Sequence, residues 1–362
     1  MYLYVIFIVL SLLFIMEICN VGIRKFPLFY KSAYIVVLCI VFLLSMLRWE
    51  NGTDWTPYYE YFSLVAIDPS LGHMEPGFTW LCHIDSKYLN YTLHLGIIAI
   101  LCIIPVAKRV WQYSPFPLFS LLIWFTIGFA HMFPVRQTIA ISLFVFSWKF
   151  IQERRLLPFV CIIAIAMSFH VTTIIAFPFY FLWNKYIPAK VYILTIAVVF
   201  VISIFAGQIF SNLLYGVGST FFEAKLNEYM GNPEEAFGGA FSPIQVLIRG
   251  CINRSFYFFL PLFLLNAKRR SDPVLNGFFN MYFYSFILFL ISTPLSVALG
   301  RMASYTDMSQ ILLLPYMFTL RMGRKNALVL SSIVLLYLFV RFRGVIYNYE
   351  DLYIPYHCVL FN

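Results

Sequence analysis

Arginine side chains within or beside long apolar runs are the residues of this chain best suited to chemistry. A charge at the centre of a bilayer costs about 2.5–3.5 kcal/mol, so such a residue usually faces a polar interior. A guanidinium group keeps its charge when it loses water, and its paired N–H donors fit a phosphate group. These side chains therefore predict a binding site for an anion with two or three negative charges. The residues concerned are Arg48, Arg136, Arg249, Arg254 and Arg301, with Tyr305 predicted one helical turn below Arg301.

Arg136 has the most favourable position of this set. It lies two residues after Pro134, in the first turn of a predicted helix that begins on the outer side of the membrane. The positive end of a helix dipole attracts anions, and the guanidinium group adds to that charge. Two other interpretations stay open for the set. Arg48 could extend its charge to the membrane surface, and Asp307 could pair with a neighbouring arginine for structure alone.

Two polar strings supply candidates for proton transfer. RWENGTDW runs from Arg48 to Trp55, and MEPGF follows about twenty residues later. A carboxylate or imidazole within hydrogen-bond reach of an acceptor hydroxyl can act as a general base. Asp54 is the first candidate, Glu75 the second and His170 the third. His170 separates two apolar stretches that are each about 20 Å long as helices, which predicts a shallow hairpin with His170 at its apex, below the outer surface.

Aromatic residues accompany the acids of the first long hydrophilic stretch. Aromatic faces beside carboxylates are a common way to hold sugars, and Trp55 and Tyr58 are the predicted contacts. The other interpretation is an aromatic belt at the membrane interface. The turn Gly52-Thr53-Asp54 predicts a helix start with Thr53 or Asp54 as its cap.

The composition indicates which kind of scaffold must position these side chains. Of the 362 residues, 62% are hydrophobic and only 11% are charged, with a mean hydropathy of +0.83. Soluble domains have about 45–50% apolar and about 25% charged residues. The apolar runs are continuous rather than alternating, so they predict membrane helices and not a β-barrel. The seven cysteines contain no CxxC pair, and we expect neither a metal site nor a disulfide framework.

The charge distribution predicts the orientation of these helices in the membrane. The gaps between the predicted spans alternate in charge, and one set of six gaps contains 16 of the 25 basic residues. The positive-inside rule makes this set cytoplasmic, so both termini and the segment 49–90 lie outside. The net charge of +9 therefore reflects topology and not nucleic-acid binding. The predicted spans are 2–20, 33–48, 91–107, 116–132, 135–151, 156–169, 171–183, 190–211, 244–265, 274–293, 295–320 and 326–341.

The chain is predicted to be one all-α membrane domain over residues 1–362, with outer loops at about 49–90 and 212–243. The pattern from Thr220 to Met230 fits a short helix on the membrane surface, which would make the second loop a lid. An ordinary connecting loop explains it equally well. Asn51 and Asn90 begin short glycosylation patterns, which often occur by chance.

Several short motifs in chain order resemble the EpsG-like family of Wzy-type polysaccharide polymerases. The first string is similar to the family signature R-x-G-T-D-[YW], from which Asn51 is a departure. The other matches are weak singly but ordered along most of the chain. They are Tyr58 to Phe62, Glu75-Pro76-Gly77-Phe78, Arg136 to Ala140, Phe169-His170, and Arg301 with Tyr305 followed by Leu312-Leu313-Leu314-Pro315.

This resemblance implies a glycosyltransferase of about 12 transmembrane helices with a GT-C-like architecture. It implies transfer of a growing glycan from undecaprenyl diphosphate to a lipid-linked oligosaccharide repeat unit. The place would be the outer, periplasmic face of the bacterial plasma membrane, for O-antigen of lipopolysaccharide, capsule or exopolysaccharide. The expected partners are that lipid-linked oligosaccharide, membrane lipid, a chain-length regulator and a flippase. No cofactor and no metal are expected.

Other functions remain open. An O-antigen ligase or another GT-C transferase would share the arginines, but ligases of that kind carry one very large periplasmic loop. A lipid-linked oligosaccharide flippase or transporter would have charges open to both sides, whereas the predicted charges lie on one. A membrane acyltransferase would place its histidine toward the cytosol, opposite to the prediction for His170. A structural scaffold does not explain so many embedded arginines.

Overall fold

The computed structural model describes residues 1–19, 26–133, 135–217, 243–265, 272–294, 297–347 and 349–361. Within these ranges the chain is helical, and an isolated antiparallel bridge joins Arg48 to Cys358. This confirms the all-helical class. The α-helices are α1 (Tyr2–Ile18), α2 (Pro27–Met46), α3 (Trp55–Ile67), α4 (Pro76–Tyr88), α5 (Tyr91–Tyr113), α6 (Pro117–Gly128), α7 (Arg136–Gln152), α8 (Leu156–Phe169), α9 (Phe179–Leu182), α10 (Ala189–Val217), α11 (Pro243–Leu264), α12 (Pro273–Ser292), α13 (Val297–Gly300), α14 (Ser304–Asp307), α15 (Gln310–Met317), α16 (Arg324–Tyr347) and α17 (Glu350–Tyr353).

Many of these helices are apolar enough for a bilayer. Among the described residues, five are long enough to cross a membrane by length and composition. The other strongly apolar segments have 10–17 residues, with α10 counted over Ala189–Phe205 only. The chain is therefore a helical membrane protein, while the number of twelve spans stays a prediction. The five long helices contain Pro27–Met46, Tyr91–Tyr113, Ile244–Leu264, Pro273–Ser292 and Lys325–Tyr347.

The helices belong to two compact units. The first contains Met1–Ile174 and Pro315–Asn362, and the second contains Ile175–Leu314. In the first unit α5 packs against α2 and α7, α7 packs against α8, and α6 packs against α1 and α16. In the second unit α12 packs against α10, α11 and α14. Whether the chain acts as one domain stays a prediction.

Proline and capping residues explain several helix starts. Pro27, Pro76, Pro117 and Pro273 occupy the first helical position, where the missing N–H costs nothing. The start of α6 has an unusual cap from another helix. The carboxylate of Glu17 in α1, only 1% exposed, accepts hydrogen bonds from the N–H groups of residues 118 (3.2 Å) and 119 (2.8 Å). A buried negative charge is stabilised there because it meets the positive end of the helix dipole.

The sequence prediction can be compared with the structure in four regions. The first outer loop contains α3 and α4, and the predicted helix start after Gly52-Thr53-Asp54 is confirmed at Trp55. The predicted span 171–183 is a 3₁₀ segment followed by the short α9. The predicted span 295–320 is divided into short helices. Of the second outer loop, residues 212–217 extend α10, and the predicted surface helix and lid lie outside the described residues.

Serine hydroxyls bond to the backbone within the last region. Ser304 Oγ donates to the carbonyl of Arg301 at 2.6 Å, and Ser309 Oγ donates to the carbonyl of Thr306 at 2.7 Å. Ser147 makes the same kind of bond inside the unbroken helix α7, so these bonds alone do not divide the region. Hydropathy does not show where the short helices end, since the region is apolar on average.

A left-handed turn lies between α6 and α7. Phe129, Ala130 and His131 have φ values of 51°, 52° and 60°. The left-handed conformation costs roughly 1–2 kcal/mol for each residue other than glycine. The ring of Phe129 packs 5.0 Å from that of Tyr353, which helps to hold the turn. The turn redirects the chain just before Arg136.

Candidate functional site

Arg136 is the centre of a polar cluster in the first unit. It is the first residue of α7, and its side chain is 28% exposed. Its guanidinium group forms an ion pair with Glu75, and its Nε donates to the hydroxyl of Tyr58 at 3.2 Å. Burial raises the pKa of Tyr58 above its ordinary value, so the phenol is neutral at neutral pH. The cluster thus joins α3, the start of α4 and the start of α7.

Glu75 uses both carboxylate oxygens to hold this cluster together. One oxygen meets Arg136, and the other accepts from the backbone N–H of Val171 at 3.4 Å. Glu75 precedes α4 but makes no side-chain capping bond to that helix. The carboxylate therefore fixes the direction of the guanidinium group and connects it to the residue after His170.

Gly77 permits the close approach that this connection requires. A Cβ atom on Gly77 would lie 2.2 Å from Ser168 Oγ and 2.9 Å from the Ser168 carbonyl oxygen. The start of α4 therefore touches the end of α8 at a distance that only glycine allows. This contact explains two of the motifs together, because Glu-Pro-Gly-Phe and Phe-His meet here.

His170 follows α8 directly and lies next to the cluster. Its Nδ1 lies 2.6 Å from Thr172 Oγ1, and its side chain is partly exposed. The next residue, Val171, donates its backbone N–H to Glu75, which places His170 near that carboxylate. Its place as a candidate base stays a prediction.

The loop from residue 47 to residue 54, called the Arg48 loop below, contains the first signature motif. Arg48 is 4% exposed, and its Nη1 donates to the carbonyl oxygen of Asn51 at 3.3 Å. Its guanidinium carbon lies 5.8 Å from the centre of the Phe133 ring. Gly52 has φ +96°, a conformation for which glycine is the favoured residue. Arg48 is therefore enclosed by its own loop and not extended to the surface.

Asp54 is exposed at the end of the same loop, directly before α3. It makes no side-chain capping bond to that helix. Its charge acts electrostatically on both Arg48 and Tyr58. Asp54 is therefore near both Arg48 and the Tyr58 hydroxyl of the Arg136 cluster, and its side chain is exposed.

The aromatic residues of α3 form a stack in which one ring is exposed. Trp55 is 3% exposed, and the ring of Tyr59 lies parallel to it at a centroid distance of 5.1 Å. Trp49 packs at 4.8 Å from Trp55. Tyr59 is 38% exposed, so it is the accessible ring beside Asp54. The sequence prediction named Trp55 as a sugar contact. Spacing alone does not tell which of two stacked rings, four residues apart, is covered.

A buried hydrogen bond between an aspartate and a histidine joins α4 to α5, and sequence reasoning missed it. Asp85 Oδ2 lies 2.7 Å from His94 Nδ1, and both side chains are buried. Cys82 Sγ lies 3.7 Å from His94 Nε2. Burial raises the pKa of Cys82 to about 12, so its thiol stays protonated and is a poor nucleophile. The three residues therefore fix α4, and with it Glu75, against α5.

The second unit contains the other predicted residues. Arg254 forms an ion pair with Asp307, and its guanidinium carbon lies 3.7 Å from the centre of the Phe289 ring. Asp307 also accepts from Ser285 Oγ at 2.5 Å. Arg254 is therefore neutralised and covered by its own unit, as the structural interpretation of Asp307 predicted. Arg249 and Arg301 are exposed, and Tyr305 is fully buried.

The predicted residues thus form two sets. Arg136, Glu75 and Tyr58 are in contact, His170 lies beside them, and Arg48, Asp54 and Trp55 belong to the neighbouring loop and helix. Arg249, Arg254, Arg301 and Tyr305 belong to the second unit. The prediction that both sets serve one anion stays a prediction, as do the individual roles.

Apolar helices that fit a bilayer, together with the polar cluster of Arg136, Glu75 and Tyr58 at the starts of α3, α4 and α7, define a helical membrane protein with a polar site at helix termini. The model of the EpsG family matches residues 31–358, which is nearly the whole chain. The chain therefore belongs to the EpsG family, whose members are Wzy-like polymerases. No curated protein and no solved structure matches it. The resemblance carried by the motifs between Arg48 and Pro315 is confirmed.

Proposed function

We propose that this protein transfers a growing glycan from undecaprenyl diphosphate to a lipid-linked oligosaccharide repeat unit. Membership of the EpsG family indicates a polymerase-type membrane protein for exopolysaccharide or O-antigen. The donor, the acceptor and the side of the membrane are the proposal. Within it we expect about twelve spans, a GT-C-like architecture and a location in the bacterial plasma membrane.

The observation that carries the proposal is the arrangement of Arg136. Its guanidinium group lies in the first turn of α7 and is held in place by Glu75 and Tyr58. A diphosphate gains negative charge as the glycosidic bond to it breaks. A fixed cation at a helix N-terminus stabilises that charge without having to reorganise.

Asp54 is the best placed general base. It is exposed and close enough to act on both Arg48 and Tyr58. In the proposed step it takes the proton of the acceptor hydroxyl, whose oxygen bonds to the anomeric carbon. The bond from that carbon to the diphosphate oxygen breaks, and the diphosphate leaves with the electron pair. A single displacement of this kind inverts the anomeric carbon. Glu75 acts instead through Arg136, because both of its oxygens are engaged.

Contacts at one end of the first unit support the topology in this proposal. The rings of Tyr2 and Tyr356 lie 5.1 Å apart, and the N–H of Trp49 donates to the carbonyl of His357 at 2.9 Å. The N-terminus, the C-terminal residues and the Arg48 loop therefore lie together. The charge pattern places the same three segments outside, from independent information.

The test is a gel of surface polysaccharide from a strain that lacks this gene. Loss of a polymerase leaves single repeat units on the lipid core where O-antigen is made, whereas loss of a ligase leaves none. Arg136→Ala should reproduce the deletion pattern at normal protein level, because removing one such donor costs on the order of 10²–10³ in rate.

The matched control is Arg155→Ala, which removes an exposed arginine that pairs only loosely with Glu153, at 3.6 Å. This variant should give the wild-type ladder. A wild-type ladder from Arg136→Ala would remove the diphosphate role of that residue. A deletion strain with normal polymer would remove the proposed function.

A further inference from the structure

The Arg48 loop is paired with a segment from the other end of the chain. The N–H of Trp49 donates to the carbonyl of His357, and the N–H of Val359 donates to the carbonyl of Leu47, both at 2.9 Å. These bonds form the antiparallel bridge between Arg48 and Cys358. Residues 349–361 are called the C-terminal segment below. The loop therefore has a backbone partner outside its own helices.

Asn51 makes the side-chain contacts of this pairing. It is 1% exposed, and its Oδ1 accepts from the N–H of His357 at 2.8 Å. Its Nδ2 donates to the carbonyl of Pro355 at 3.1 Å and lies 3.5 Å from that of Leu352. Both ends of the amide are thus engaged, and the glycosylation pattern at this residue has no accessible acceptor. An amide is the side-chain group that both donates and accepts in this way.

The same pairing sets the position of Arg48. The carbonyl of Asn51 accepts from the guanidinium group, and the next residue, Gly52, donates its N–H to Leu352 at 2.9 Å. A Cβ atom at Gly52 would lie 3.3 Å from Arg48 Nη1 and 3.2 Å from the Phe133 ring. The ring of Phe133 in turn packs 4.8 Å from Tyr353 of the C-terminal segment. The segment therefore supports two residues that contact the guanidinium group, Asn51 and Phe133.

From these contacts we infer that Asn51 is a positioning residue through which the C-terminal segment holds Arg48 in place for transfer. Asn51 does not touch the substrate. It acts through the loop backbone, which carries Arg48 before it and Asp54 after it. The inference rests on the proposed function, since it takes Arg48 to serve the proposed transfer.

The test compares Asn51→Asp with the matched variant Asn90→Asp in purified enzyme acting on undecaprenyl-diphosphate-linked repeat units. Aspartate at position 51 keeps the acceptor for His357 but places an oxygen against the carbonyl of Pro355. Asn90 is exposed and caps α5 by accepting from the N–H of Leu93 at 2.9 Å, which aspartate does equally well. Asn90→Asp should therefore behave as wild type.

We expect kcat of Asn51→Asp to fall by about tenfold or more, since a misplacement of about 1 Å can cost about 100-fold. KM for the lipid-linked unit should stay near that of Asn90→Asp. The melting temperature of Asn51→Asp should fall, because its buried carboxylate faces a carbonyl oxygen, so both variants are assayed well below their melting temperatures. In a double-mutant cycle, Arg48→Ala with Asn51→Asp should be no slower than Arg48→Ala alone, because both changes remove the same placed group. If Asn51→Asp does not accumulate, Asn51→Ser, which adds no charge, takes its place.

Wild-type kcat in the Asn51 variant would overturn the inference. Effects of the two changes that multiply in the cycle would also overturn it, because Asn51 would then act independently of Arg48. Failure of the wild-type enzyme to polymerise the lipid-linked unit would instead overturn the proposed function. The two failures are therefore distinguishable in one set of measurements.

Discussion

Arg136 and Arg254 both form an ion pair with a carboxylate, but their surroundings differ. Arg136 begins a helix, is 28% exposed, and has a phenol as its second partner. Arg254 is 14% exposed, lies inside α11, and packs on the ring of Phe289. The guanidinium group of Arg136 is partly accessible and can still donate hydrogen bonds to a ligand. The guanidinium group of Arg254 is largely enclosed by its own unit. We therefore expect Arg136 to matter for activity and Arg254 chiefly for stability.

Arg254→Ala should lower the free energy of unfolding by about 1–3 kcal/mol, because it leaves the Asp307 carboxylate without its cation. The measurement is the thermal unfolding of purified protein in detergent, together with the protein level in membranes. Arg249→Ala, which removes an exposed arginine of the same helix, is the matched control. Equal melting temperatures of the two variants would contradict the structural role of Arg254.

The sequence showed which residues have an unusual position, but it did not show which residues they contact. An arginine in an apolar run requires a polar neighbour, so the sequence identified Arg136 and Arg254 as unusual. Their carboxylates lie 61 and 53 residues away along the chain, beyond any local pattern. The buried pair of Asp85 with His94 was missed for a related reason, since it depends on how α4 meets α5.

The start of α4 and the end of α8 form a joint that determines the position of Glu75. Gly77 touches Ser168, and Glu75 accepts from the N–H of Val171. The joint therefore combines one steric contact and one hydrogen bond across two helix ends. A change in either helix end should move the carboxylate that holds Arg136.

Gly77→Ala should disturb this joint. Its methyl group would lie 2.9 Å from a backbone carbonyl oxygen, which a rotamer change cannot relieve. Overpacking of this kind costs about 1–3 kcal/mol, and we expect polymerisation to fall with it. Gly344→Ala is the matched control, because nothing lies within 4 Å of a Cβ there. The comparison uses melting temperature and polymer yield; a Gly77 variant equal to the control would contradict the joint.

The elements themselves were largely predictable. The predicted span 156–169 coincides with α8, and proline explains the starts of α2, α4, α6 and α12. The division of the region 297–317 into short helices was not predictable, because the region is apolar on average and hydropathy does not show where each helix ends. For the helices inside the first outer loop, the sequence predicted where a helix begins but not how long it is.

The whole molecule places three distant segments at one end of its first unit. The start of α1, the Arg48 loop and the C-terminal segment are in contact there. Any topology must therefore put all three on the same side. The basic residues of the chain lie mainly in the alternate gaps, and the positive-inside rule therefore predicts that this side is the outer one.

Alkaline phosphatase fused after residue 362 should be active, because the enzyme works only outside the cytosol. The same reporter inserted after Glu153, in the turn between α7 and α8, should be inactive. The assay is phosphatase activity per fusion protein in whole cells. An inactive terminal fusion with an active one at Glu153 would reverse the orientation and place the Arg136 cluster in the cytosol.

The contacts of Asn51 reach 301 to 306 residues further along the chain. During synthesis, the ribosome must therefore deliver almost all the helices before this asparagine finds its partners. Until then the loop that carries Arg48 has no backbone to pair with. If Asn51 positions Arg48 as inferred, a nascent chain already inserted in the bilayer would stay inactive until translation has passed the C-terminal segment.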